Sequence, residues 1–348
     1  MKIYCIIIDT MPFCPEVLEI NNMVKGDLLR QVSGCYTLTS LAQMLTGKLS
    51  TDLEPSGIGY GTWSDRLDSN GIVDWKWLET SIPFYLWKEK DFKFISRNLD
   101  ILTVLFAFKK YPQFYKDSKG YNEAEQHEYI KRIQGESKGN TFHFLNYRNF
   151  HDACQRSYKF DGDALYKNQR IAGQEILGYF EKDWDFSEPD SLFWFFSDHG
   201  AWFHPHFHGY PFVQNFYTWA IVKDNLENPI DIKQKVISTQ DFPLILRHKF
   251  GNVPLPEFSK DRIFLTEDGR AGIKLKEITT AIACRFKNWS GDFPLQLSYL
   301  IYHHPADNFL QRKVKFDRDG FTIDEVVDTS VVDEQLKEAL ISKFTWVP

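Results

Sequence analysis

The chain has 348 residues, a net charge of −6 with acidic and basic residues interspersed, and 16% aromatic residues. That length suits one large domain, or a large one with an appendage, around a sizeable buried core. There is no basic stripe to take a nucleic-acid partner and no run near the roughly twenty apolar residues of a membrane span, and the five scattered cysteines form no Cys-x-x-Cys pair, which places the chain in a reducing, cytoplasmic setting.

In chain order, the apolar run Lys2–Ile8 predicts a first buried strand that ends in Asp9. An acid there has no packing reason; it binds metal or substrate, or it caps the next helix. A small, hydroxyl-rich turn, Gly34-Cys35-Tyr36-Thr37, then opens a helix over 38–45 that stops at Gly47. Residues 49–75, rich in Gly, Ser and Asp, read as a long loop. Strands are predicted at 102–108, Thr141–Tyr147, 192–196, 217–222 and 244–247, with the best apolar helical spacing at 166–181. This alternation predicts an α/β fold, a three-layer α/β/α arrangement around a mostly parallel sheet. From 256 onward the pattern changes to short strands at 262–265, 272–275, 279–286, 295–302 and 314–321, closed by a helix at 332–344. Residues 1–255 thus read as the α/β domain and 256–348 as a small antiparallel C-terminal subdomain.

The chemistry concentrates where strand 192–196 runs into Ser197-Asp198-His199-Gly200. Four of the ten histidines, His199, His204, His206 and His208, fall within this stretch. Carboxylate plus imidazole at the carboxyl edge of a sheet is a ligand set for zinc or manganese. A hydroxyl at the start of the 38–45 helix sits where the helix dipole favours an alkoxide or a bound anion, or it is an ordinary cap.

Together, Ile8-Asp9-Thr10, Thr37 nine residues before Thr46-Gly47-Lys48, and Ser197-Asp198-His199-Gly200 resemble the sulfatase-like branch of the alkaline phosphatase superfamily. Downstream, Phe207-His208-Gly209-Tyr210-Pro211 is similar to a segment of that family's phosphoethanolamine transferases, and 236–246 is similar to the segment that starts a late helix. His151 falls in the position of a histidine in a site loop. The resemblance implies a divalent metal held by Asp9, Thr37, Asp198 and His199, with Thr37 as nucleophile. His208 and His151 would serve the phosphoryl group or the leaving group, and His206 and Lys48 would bind substrate. The sulfatase pattern Cys/Ser-x-Pro-x-Arg is missing from 37–41, which turns the expectation from sulfate toward phosphate. Thr10 stands where many relatives carry a further Asp; one carboxylate fewer leaves calcium possible but favours zinc or manganese. The implied activity is a phosphoester hydrolase or phosphotransferase acting on a small-molecule or saccharide-linked phosphoester. The alternatives are a sulfatase without formylglycine and a non-catalytic binding protein of the same fold.

Overall fold

The computed structural model describes residues 1–35, 37–49, 80–97, 114–117, 123–136, 139–157, 162–200, 213–232, 236–251, 253–255, 258, 262–269, 279–287, 296–303, 308–316, 322–327, 331–344 and 347. Its first sheet has eight strands: β1 (Lys2–Ile8), β2 (Asp27–Val32), β3 (Lys93–Arg97), β4 (Phe114–Asp117), β5 (Thr141–Tyr147), β6 (Ser191–Phe196), β7 (Tyr217–Asp224) and β8 (Val236–Ser238). Their order is β4-β3-β5-β1-β6-β7-β2-β8. All pairs are parallel except the two made by β7, which runs against β6 and β2.

The central strands are buried on both faces, and their alternate side chains belong to two separate cores. Tyr4, Ile6 and Ile8 pack with α1 (Pro15–Val24), α4 (Glu123–Glu136), α5 (Asn149–Ser157) and α6 (Gly162–Asp183). Ile3, Cys5 and Ile7 pack with α2 (Thr37–Thr46), α3 (Ile82–Lys90) and α8 (Phe242–Phe250), α7 being the single turn Val213–Phe216. This is the three-layer α/β/α arrangement.

The second sheet is an antiparallel meander of β9 (Phe264–Gly269), β10 (Thr279–Lys287), β11 (Gln296–His303), β12 (Asn308–Phe316) and β13 (Thr322–Val327). One face, with Ile282, Tyr299 and Phe316, joins the core of the first sheet around Phe216 and Tyr217. The other, with Ala283, Leu300 and Tyr302, is covered by Leu336 and Leu340 of α9 (Glu334–Lys343).

One expected strand is corrected. Residues 244–247 lie in α8: Ser238 and Asp241 form a capping box just before it, and Pro243 sits in its first turn, where a fixed φ favours helix. Of the expected strand 314–321, residues 314–316 close β12, and 317–321 lie outside the described residues. The expected strands at 102–108 and 272–275 lie outside the described residues. Strand β2 escaped the sequence reading because Arg30 and Gln31 interrupt its apolar run. Gln31 is nevertheless buried, donating its amide to Ser197 O at 3.0 Å and Thr218 Oγ1 at 3.1 Å.

In the interior of the sheet, where β5 lies between β3 and β1, His143 stacks on Tyr4 with ring centroids 5.2 Å apart. Burial, helped by the positive charge of Lys2, pushes its pKa down from 6.5 to about 3. The unfolded chain therefore binds a proton that the fold refuses. The contribution of this site to stability is full above the ordinary histidine pKa and is lost as pH falls toward the folded value. Between those limits the loss amounts to about 5 kcal/mol. His143→Phe is expected to flatten this acid dependence, read as urea unfolding at neutral pH and near pH 4. An unchanged pH dependence would contradict the assignment.

Candidate active site

Strands β1 and β6 are adjacent and parallel, with Ile7 opposite Phe196. Two residues further on, Asp9 and Asp198 leave the same edge side by side. Asp9, Asp198 and His199 are all buried, and one ligand atom from each lies within 4.8 Å of the others. Among the described residues this is the one such group.

The surrounding hydrogen bonds orient each donor. Asp198 Oδ1 accepts the backbone N–H of Thr10 and of His199, both at 3.0 Å, and its Oδ2 stands 3.7 Å from His199 Nε2. His199 Nδ1 lies 2.8 Å from Gly200 O. An Nδ1–H donated there leaves the Nε2 lone pair facing the two carboxylates. Two oxygen donors and one imidazole nitrogen are the ligand chemistry of zinc and manganese, so the residues present fit a divalent cation.

Thr10 adopts a left-handed backbone, φ 70°. For a β-branched residue this costs on the order of 1–3 kcal/mol. The strained turn aims its N–H at Asp198, while its hydroxyl donates to Asp9 Oδ1 at 2.7 Å and lies 3.0 Å from His151 Nδ1. His151 is in the first turn of α5, not in a loop as expected, and its Nδ1 is 3.2 Å from Asp9 Oδ1. Burial works against the Asp9 carboxylate. The His151 hydrogen bond, the charges of His151 and His199 and the Thr10 hydroxyl outweigh it and hold its pKa at about 2. Burial likewise opposes protonation of His151, but the hydrogen bond and charge of Asp9 leave its pKa raised.

Thr37 is the first residue of α2, so the helix N-terminus that it opens belongs to the same edge; its side chain lies outside the described part. Close behind, the Ser40 hydroxyl donates to Asp198 O. Lys48 is not brought to the cluster. It is exposed, two residues beyond the far end of α2, and ten residues of helix put about 15 Å between the two ends. His204, His206 and His208 lie outside the described residues. The contacts of Thr10 and Ser40 were missed by sequence reasoning. The only signals were a polar residue straight after Asp9 and the density of hydroxyls around Thr37.

No protein-family profile and no curated protein matches the chain. Solved structures do. A protein in the alkaline phosphatase superfamily from Vibrio parahaemolyticus aligns with TM-score 0.53 at 14% identity, over 98% of this chain and 86% of that one. A putative sulfatase from Bacteroides thetaiotaomicron aligns with TM-score 0.59 at 8% identity, over 88% and 84%. The lipoteichoic acid synthase LtaP from Listeria monocytogenes aligns with TM-score 0.52 at 10% identity, over 99% and 90%. The chain therefore has the fold of the alkaline phosphatase superfamily, whose structural neighbours include sulfatases and a lipoteichoic acid synthase. Among the described residues, no helix is long and apolar enough to cross a membrane.

Proposed function

We propose that this protein is a metal-dependent phosphoester hydrolase or phosphotransferase that uses Thr37 as its nucleophile. The observation that carries the reading is the convergence of Asp9, Asp198 and His199 at the edge where α2 begins with Thr37. A divalent cation, zinc or manganese by ligand type, would supply charge to the phosphoryl oxygens and acidify a hydroxyl.

The remaining steps belong to the chain's own residues. The N-terminal turn of α2 offers backbone N–H groups to the phosphoryl anion. The Thr37 oxygen attacks phosphorus in line as the ester P–O bond breaks, giving phosphothreonine from a monoester, or its O-ester from a diester, and a free alcohol. His151, oriented through Nδ1 by Asp9 and Thr10, would hold or move the proton of the leaving oxygen. His208 is the second candidate for contact with the phosphoryl group, and His206 for binding substrate. Water as acceptor then gives hydrolysis, and a sugar or polyol hydroxyl gives transfer.

Cys35 supports phosphate over sulfate. It is the cysteine nearest Thr37 in sequence, yet it is buried in the core, with its backbone N–H donating to Glu267 O at 3.3 Å. It is also followed by Thr37 and Thr39, where the formylglycine pattern needs Pro and Arg. Wild-type protein supplied with zinc or manganese is expected to cleave an aryl phosphate mono- or diester with at least about 100-fold higher kcat/KM than an aryl sulfate. A preference for sulfate would overturn the phosphoryl reading. Absence of bound metal after supplementation would favour a binding protein of this fold.

A further inference from the structure

The nucleophile and the proposed metal ligands arrive on elements that are far apart in sequence, so something must set their relative position. The Ser40 hydroxyl, fully buried in the first turn of α2, donates to the main-chain carbonyl of Asp198 across 158 residues of sequence. This bond ties that turn to the β6 exit, and it lands on the residue whose side chain enters the metal cluster. Beyond Asp198 the exit is itself braced, because Ser197 Oγ donates to His199 O at 2.6 Å and Gly200 N–H donates to Asn215 O at 3.0 Å.

The turn is also pressed from behind. Gly34 packs so closely that a Cβ there would stand 2.8 Å from both N and Oγ of Ser40. Thr266 Oγ1 donates to Ser33 O at 2.6 Å, which fixes the approach to that turn from the second sheet. Further along α2, Gln43 Oε1 accepts from Thr239 Oγ1 at 2.6 Å. With the rear of the helix fastened in this way, the hydroxyl of Ser40 determines how its front end meets the Asp198 carbonyl.

We infer that Ser40 is a positioning residue: its hydrogen bond to Asp198 O holds the N-terminal turn of α2, and with it Thr37, in register with the metal ligands. The inference rests on the reading of Thr37 as nucleophile for its catalytic consequence, but not for the contact itself. Loss of such a tie allows a shift on the ångström scale, which is enough to cost a transfer reaction about 100-fold without touching substrate.

The test compares wild type, Ser40→Ala and Leu340→Ala; Leu340 is buried under the second sheet and serves as a destabilised control far from the site. In Ser40→Ala, backbone amides of residues 38–44 and 198–200 are expected to exchange with deuterium faster than in wild type, and those of α8 at the wild-type rate. With an aryl phosphate and saturating zinc, kcat is expected to fall about 10- to 100-fold while KM and zinc affinity stay within about 3-fold. Leu340→Ala is expected to keep kcat within about 2-fold. Unchanged exchange in Ser40→Ala, or a kcat no lower than that of Leu340→Ala, would overturn the inference. If wild type turned over no phosphoester, the Thr37 reading would fail, and exchange alone would still decide whether Ser40 holds the turn. Should Ser40→Ala fail to fold, Ser40→Cys, a weaker donor of similar size, takes its place.

Discussion

Thr37→Ala is expected to reduce phosphoester turnover at least about 10⁴-fold, the scale on which enzymes lose rate when a nucleophile is removed. Zinc binding is expected to weaken only about 10-fold, since Asp9, Asp198 and His199 stay in place. The neighbouring hydroxyls, Thr39 and Ser40, are the ones to test if Thr37→Ala stays active. Thr39 is 3% exposed and Ser40 is fully buried with its hydroxyl given to Asp198 O. Thr37→Ser keeps a hydroxyl at the same helix start and is expected to retain measurable turnover. Steady-state kinetics on an aryl phosphate, beside zinc titration calorimetry, measures both quantities. Full activity in Thr37→Ala would remove the nucleophile assignment.

Asp198→Asn is expected to move function and stability in opposite directions. The substitution keeps Oδ1 as acceptor for the N–H groups of Thr10 and His199, so the local backbone has no reason to rearrange. It removes one of two buried carboxylates that stand together, with His151 beside Asp9, an arrangement that costs the metal-free fold free energy. The metal-free variant is therefore expected to be as stable as wild type or about 1 kcal/mol more stable. Zinc affinity is expected to fall at least about 100-fold and turnover about 10³-fold. Wild type at a zinc concentration 100 times Kd gains about 2.7 kcal/mol from binding, and the variant gains almost none. Thermal unfolding with zinc and with chelator separates these terms. A variant that kept the wild-type zinc stabilisation would show that Asp198 is not a ligand.

How much of this was legible in the sequence follows from the kind of interaction that forms each part. Strands β1, β5 and β6 are buried on both faces and read directly as apolar runs, and the strand-end positions of Asp9 and Asp198 came with them. The run at 244–247 misled because apolar residues alone do not separate a short buried strand from a helix; the deciding information lay upstream, in Ser238, Asp241 and Pro243. Strand β2 was hidden by Gln31, a polar residue buried because its partners Ser197 and Thr218 come from other strands. The same holds at the site. The residue types Asp, Asp and His could be picked out one by one, but the His151–Asp9 contact, the Thr10 turn and the Ser40–Asp198 bond depend on which strand exits become neighbours. Lys48 shows the converse: close to Thr37 in sequence, it is carried to the far end of the helix by ten helical residues.

The central claim, that Thr37 takes up the phosphoryl group beside the Asp9, Asp198 and His199 cluster, is tested most directly by trapping the intermediate. Zinc-loaded protein mixed with an aryl phosphate monoester and quenched in acid within one turnover is digested and read by mass spectrometry. The account predicts a phosphate adduct on Thr37, present in wild type and missing from Thr37→Ala. Product release without an adduct on Thr37, or an adduct on a different residue, would contradict it.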